Sequence, residues 1–252
     1  MQGKWSIITG ATAGIGWATA ETLANAGSSL ILLGRRSDRL KELRDLLSDS
    51  AGDIKTFELD ITQKSEINDF ATGEADLLQK VSILVNNAGL AKGTEKVQDA
   101  QISDWDQMID TNVKGLLYLT RVMLPHMIKN RSGHIVNIGS VAGRTVYPGG
   151  AVYCASKFAV RAISEGLRMD LAGTNIRVTN IEPGMVNTEF STVRLGDVVK
   201  ADQVYEGMTP LSASDIAETI LWCLQRPAHV NIQELVIYPT DQAAVGQVVR
   251  RS

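Results

Sequence analysis

Seven short apolar runs, rich in β-branched residues, punctuate the chain at 5–9, 30–33, 54–59, 83–86, 135–138, 178–181 and 234–238. Stretches with helical periodicity lie between them, at about 17–26, 38–47, 104–127, 151–171 and 214–225. Strand-length runs alternating with helix-length ones predict right-handed βαβ crossovers and a mostly parallel sheet. Several runs are apolar on consecutive residues rather than on every second one, as a sheet covered on both faces requires. The expected fold is α/β, a doubly wound parallel sheet of about seven strands with helices on both faces. No repeat, low-complexity block or linker interrupts residues 1–252, so one domain is expected.

Composition narrows the function classes. Of the 252 residues, Lys and Arg number 25 against 28 Asp and Glu, a net charge of -3. Without a basic excess, neither nucleic acid nor an anionic membrane is an expected partner. Cys154 and Cys223 are far apart and the three histidines are dispersed, which argues against a disulfide framework and against a metal site. Neither a signal-peptide pattern nor a run of ~18 apolar residues occurs, so the chain reads as a soluble cytosolic protein.

In a doubly wound sheet, ligands sit at the carboxyl ends of the strands. The first run is followed by Thr9-Gly10-Ala11-Thr12-Ala13-Gly14-Ile15-Gly16 and a helix. Glycines at a strand-to-helix turn let backbone approach a pyrophosphate, and the helix N-terminus offers free N–H groups. The spacing is Gly-x-x-x-Gly-x-Gly, and a turn that merely packs helix on strand is the competing reading. The second run ends in Gly34-Arg35-Arg36, where an NAD site usually carries an acidic residue. A guanidinium suits a 2′-phosphate, so Arg35 and Arg36 point to NADP(H), against the alternative of two solvated arginines. Asp38 could be a displaced ribose ligand, but it lies two or three residues late and is better placed as a helix cap. Asp60, at the end of the third run beside Ile61, is either an adenine contact or a cap. Asn87-Ala88-Gly89 after the fourth run is either a ribose approach or a tight turn.

Ser140 ends the fifth run, and thirteen residues on comes Tyr153-Cys154-Ala155-Ser156-Lys157 inside a helical stretch. Positions i and i+4 share a helix face, so Tyr153 and Lys157 are neighbours. An ammonium favours a phenolate, and a tyrosine so tuned can act as general acid or base on a carbonyl or alcohol. Ser140 is placed to hold the same oxygen.

Over essentially its whole length the chain resembles the short-chain dehydrogenase/reductase family, on Thr9–Gly16, Asp60, Asn86–Gly89, Asn112, Ser140, Tyr153-x-x-x-Lys157 and Pro183-Gly184. The resemblance implies a Rossmann-type fold with Tyr153 as acid/base. Ser140 would polarise the carbonyl, and Lys157 would bind the nicotinamide ribose and lower the tyrosine pKa. It implies that Asn112 supports a water relay to Lys157. It also implies cofactor contacts from Gly10, Thr12, Ala13, Gly14, Ile15, Gly16, Arg35, Arg36, Asp60, Ile61, Asn87, Ala88 and Gly89, and from Pro183, Gly184, Val186 and Thr188 around the nicotinamide. Segments 142–160, 182–194 and 239–243 are similar to the NADP-dependent serine/3-hydroxy acid dehydrogenase subgroup, with a sulfoacetaldehyde-reducing branch related to it. The family further implies a homotetramer.

A small anionic substrate needs a fixed cation. Arg194 is the first candidate and Arg144, shortly after Ser140, the second; a solvated loop arginine is the alternative for each. A segment around 186–212 is expected to cover the substrate. Its mix of Asp197, Lys200, Asp202 and Glu206 fits a small polar substrate better than a bulky apolar ketone. A non-catalytic dinucleotide-binding regulator on the same fold is the remaining reading.

Overall fold

The computed structural model describes residues 1–251. Its order is β1 (Trp5–Thr9), α1 (Gly14–Asn25), β2 (Ser29–Gly34), α2 (Ser37–Leu47), β3 (Ile54–Glu58), α3 (Lys64–Gly73), α4 (Ala75–Leu78) and β4 (Val81–Asn86). Then come α5 (Ile102–Ile109), a π-helical turn (Asp110–Gly115), α6 (Leu116–Asn130), β5 (Gly133–Ile138), a short 3-10 turn (Val141–Gly143), α7 (Ala151–Asp170) and β6 (Ile176–Pro183). The chain continues through α8 (Phe190–Leu195), α9 (Val198–Gln203), α10 (Ala213–Leu224), β7 (Glu234–Ile237), β8 (Gln242–Ala244) and β9 (Gln247–Val248). The first seven strands form one sheet in the order β3-β2-β1-β4-β5-β6-β7, every pairing parallel.

The consecutive apolar residues of each strand serve two cores. Ile8, Leu30, Leu32 and Val85 point to the layer that holds Leu23 of α1 and Ile216 and Ile220 of α10. Their neighbours Ile7, Ile31, Leu33 and Leu84 point to the opposite layer, with Phe70 of α3 and Leu119 and Met123 of α6. Strand pleat alone makes this division, since successive side chains face opposite sides. The chain leaves β1 toward β2 on one side and returns through β4 on the other, so a crevice opens at the carboxyl ends of β1 and β4.

Three local expectations are corrected. The helix expected from Trp17 begins at Gly14, because the glycine turn itself forms its first turn. The cap of α2 is Arg36, not Asp38; Asp38 lies in the first turn, where its charge suits the helix dipole. The helical run expected over 104–127 is broken by the π-helical turn at Asp110–Gly115. There the ladder yields to tertiary contact. Asn112 turns inward onto the chain after β4, and Gly115 packs so close that a Cβ would come within 2.7 Å of the Ile61 Cδ1.

Candidate active site

A cleft of about 430 Å³ runs along the carboxyl edge of the sheet. Its walls include Gly10, Thr12, Ala13, Gly14 and Ile15 of the first turn, Arg35, Arg36, Asp60 and Ile61 beyond β2 and β3, and Asn87, Ala88 and Gly89 beyond β4. At its other end stand Ser140, Tyr153, Lys157, Pro183, Gly184, Val186 and Thr188.

The first turn is built for close approach. Gly10 and Gly14 have φ of 62° and 53°, a conformation that favours glycine. Gly16 lies beneath the cleft wall, and a Cβ there would come within 2.3 Å of the Gly10 carbonyl oxygen. The α1 N-cap is Ala13, which has no side-chain acceptor, and its first turn carries no acidic residue. The leading N–H groups of α1 are thus left for an anion. Asn87 fastens the loop, its Nδ2 donating to the Thr9 carbonyl at 2.8 Å, while the Thr9 hydroxyl accepts from the N–H groups of Asn87 and Ala88 at 2.9 Å each. The tight-turn reading of Asn87 therefore accounts for its side chain, with its backbone still on the cleft wall.

Arg36 is already engaged. It donates from Nε and Nη2 to the Thr12 hydroxyl at 3.2 and 3.1 Å, and from Nη1 to Glu189 at 3.0 Å. Arg35 is freer, its side chain 67% exposed and 3.7 Å from Asp60. Asp60 accepts from the N–H and hydroxyl of Thr62, at 2.9 and 2.8 Å, capping the turn into α3.

At the chemical end, Ser140 caps the 3-10 turn by accepting from the Ala142 N–H at 3.1 Å. One face of α7 carries Tyr153 and Lys157, both buried. Lys157 Nζ lies 5.9 Å from the Tyr153 ring centre and donates to the Ile138 carbonyl at 2.9 Å. Burial lowers its pKa to about 8. Contrary to the expectation that Lys157 lowers it, burial pushes the Tyr153 phenol well up, opposed first by the Ser140 hydroxyl and then by the charge of Arg194, while the Lys157 ammonium is engaged by the Ile138 carbonyl. Asn112 donates to the Leu90 carbonyl at 2.8 Å and to the Ser156 hydroxyl at 3.0 Å, and accepts from the Leu90 N–H at 2.8 Å. It clamps the chain after β4 to α7.

The two candidate cations part company. The Arg144 guanidinium binds the carboxylates of Glu182 and Glu234, and Arg161 donates to Glu234 at 3.0 Å. Glu182 is fully buried, so Arg144 is committed to neutralising it and is withdrawn as a substrate ligand. Arg194 instead lies 5.9 Å from the Tyr153 ring centre. It donates from Nε to the Gly93 carbonyl at 3.1 Å and from Nη1 to the Tyr147 hydroxyl at 3.0 Å. No partner for Nη2 is found among the described residues. Sequence reasoning missed Tyr147, which no spacing marks. It also missed Glu189 and Phe190; the Phe190 ring packs 5.7 Å from that of Tyr153.

The chain belongs to the short chain dehydrogenase family, whose model matches residues 4–196. It is 45% identical to the NADP-dependent 3-hydroxy acid dehydrogenase YdfG of Salmonella typhi over 248 residues, 98% of this chain and 99% of that one. It is 46% identical to sulfoacetaldehyde reductase 2 of Chromohalobacter salexigens over 239 residues, 94% of each. Among solved structures it superposes on the closed form of a serine dehydrogenase complexed with NADP+, with a TM-score of 0.91, 45% identity and coverage of 98% of this chain and 100% of that one. The protein is an oxidoreductase of this family. Among the described residues no helix is long and apolar enough to cross a membrane.

Proposed function

We propose that the protein is an NADP(H)-dependent dehydrogenase/reductase of small 3-hydroxy acids and the matching semialdehydes, such as serine, allo-threonine, 3-hydroxyisobutyrate and malonic semialdehyde. The observation that carries this reading is that Ser140, Tyr153 and Lys157 wall the same cleft as the glycine turn at α1. When bound, the nicotinamide supplies or accepts the hydride. The α1 N–H groups receive the diphosphate, and Arg35 and Arg36 the 2′-phosphate. Pro183, Gly184, Val186 and Thr188 border the nicotinamide end. Tyr153 gives its phenol proton to the carbonyl oxygen in reduction and takes it from the hydroxyl in oxidation. Ser140 holds that oxygen, Lys157 holds the ribose, and Asn112 keeps the wall behind Lys157 in place. Residues 186–212 act as the lid. The family resemblance supports a homotetramer.

Arg194 is the residue proposed to hold the substrate anion, because it brings a guanidinium over the tyrosine ring. A sulfonate fits such a cation as well as a carboxylate does, and the 46% identity to a sulfoacetaldehyde reductase favours this as the second reading. The test is a panel of 3-hydroxy acids, semialdehydes, sulfoacetaldehyde and small neutral aldehydes, assayed with NADPH and NADH on wild type and Arg194→Met. Loss of a charge-assisted pair worth ~1.5–3 kcal/mol should cut kcat/KM for the acids by about ten- to a hundredfold. Neutral aldehydes should lose far less. Equal losses on both would return Arg194 to a purely structural role, holding Gly93 and Tyr147.

A further inference from the structure

The run Pro239-Thr240-Asp241-Gln242-Ala243 has no role in the chemistry described so far. Yet Asp241 and Gln242 are buried, at 4% and 5% exposure. Gln242 Oε1 accepts a hydrogen bond from the Met185 N–H at 2.8 Å, and a Cβ on Gly184 would come within 2.4 Å of the same oxygen. Met185 is held on its other side too, its carbonyl accepting from the Leu211 N–H at 2.9 Å. Leu211 in turn accepts from the Asn187 N–H at 2.8 Å. Residues 185–187 and 211 are the two ends of the lid, and these bonds zip them together. Asp241 secures the second end, accepting from the Thr209 N–H at 2.8 Å and from Arg251 at 2.6 Å. The Arg251 N–H donates to the Gly207 carbonyl at 2.7 Å.

Both ends of the lid thus terminate on one buried dipeptide. We propose that Gln242 is a positioning residue for hydride transfer. Its side-chain oxygen fixes the Gly184-Met185 peptide and so the wall that faces the nicotinamide, while Asp241 and the C-terminal residues hold the lid base against the same point. Backbone N–H groups inside a protein need acceptors, and no strand partner reaches Met185 on that side, so a side-chain amide supplies one. Gln242 is not among the residues lining the cleft; its side-chain bonds go to the Met185 N–H and the Ala244 carbonyl. Its loss should therefore be felt at the nicotinamide end alone.

This inference rests on Pro183–Val186 being the nicotinamide end of the cleft. Gln242→Leu keeps the bulk and removes the acceptor. On whichever substrate of the panel wild type turns over best, kcat should fall about tenfold or more, as misplacement of reacting groups does. Affinity for 2′,5′-ADP, which fills only the adenosine end, should stay within about twofold. Gln242→Glu retains an acceptor oxygen and should recover most of the turnover. If Gln242→Leu does not fold, Gln242→Asn takes its place, drawing the acceptor back by one methylene. Turnover near wild type, a parallel loss of 2′,5′-ADP affinity, or a Glu variant as impaired as the Leu variant would each overturn the proposal. Gly184→Ala separates it from the reading beneath it. If that variant leaves the ratio of NADPH to 2′,5′-ADP affinity unchanged, the nicotinamide assignment fails. If it lowers the ratio while Gln242→Leu leaves kcat near wild type, only the role of Gln242 fails.

Discussion

Tyr153 sits against Phe190 with its phenol raised by burial and pulled back by Ser140 and Arg194. A raised phenol keeps its proton through neutral pH, which suits the acid needed for carbonyl reduction. Alcohol oxidation needs the deprotonated form, so oxidation should climb on the alkaline side while reduction stays flat through neutrality. Tyr153→Phe keeps the ring and removes the proton. Turnover should fall by ~10²–10⁴ in both directions, with NADPH affinity by fluorescence titration little changed. Turnover near wild type would remove Tyr153 from the chemistry. The i, i+4 spacing of Tyr153 and Lys157 was legible in the sequence because helix geometry is local. The fate of the two arginines was not. Glu182 and Glu234, which claim Arg144, lie 38 and 90 residues beyond it and meet it only when β6 and β7 pair.

At the level of elements, the tip of β2 is where the proposed function puts the cofactor preference. Arg36 is tied to Thr12 of the first turn and to Glu189 just before α8, whereas Arg35 is 67% exposed with Asp60 3.7 Å away. On the proposed reading, a 2′-phosphate there would compete with Glu189 at 3.0 Å for Arg36 and with the more distant Asp60, at 3.7 Å, for Arg35. Replacing both arginines with neutral residues should raise KM for NADPH by about tenfold or more, and for NADH by much less, as loss of charge-assisted bonds to one phosphate requires. Steady-state kinetics with both cofactors checks this, and equal changes would refute a 2′-phosphate role. The alternation of strands and helices was readable from pattern, since each element must bury its own apolar face. The π-helical turn at Asp110–Gly115 was not. It answers to Leu90, Ser156 and Ile61, none of them near it in sequence.

Across the whole molecule the sheet interior carries polar side chains as well as apolar ones. His134 of β5 is buried, and its Nε2 lies 2.8 Å from the Thr179 hydroxyl of β6. That hydroxyl donates to the Ile232 carbonyl at 2.7 Å, so Nε2 carries the proton and donates to it. Burial, reinforced by Arg177 and Lys4, holds the His134 pKa at about 3 against an ordinary 6.5. Between those values the unfolded chain binds a proton that the folded chain refuses, so stability declines as pH falls from 6.5 toward 3. The contribution is up to about 1.4 kcal/mol per pH unit. Urea unfolding at pH 7 and pH 5 should show this decline, and His134→Gln should flatten it; an unchanged slope would assign the acid sensitivity to other groups. The amino-acid sequence determined the doubly wound sheet, the glycine turn at α1, and the Ser140, Tyr153 and Lys157 set. Each depends on periodicity or on short spacings that chain geometry enforces. Only the tertiary structure decided which arginine faces the tyrosine, what engages Arg36, and that the C-terminal run closes on the Gly184-Met185 peptide. Those contacts join residues that lie far apart along the chain, and pairing of strands and docking of helices alone brings them together.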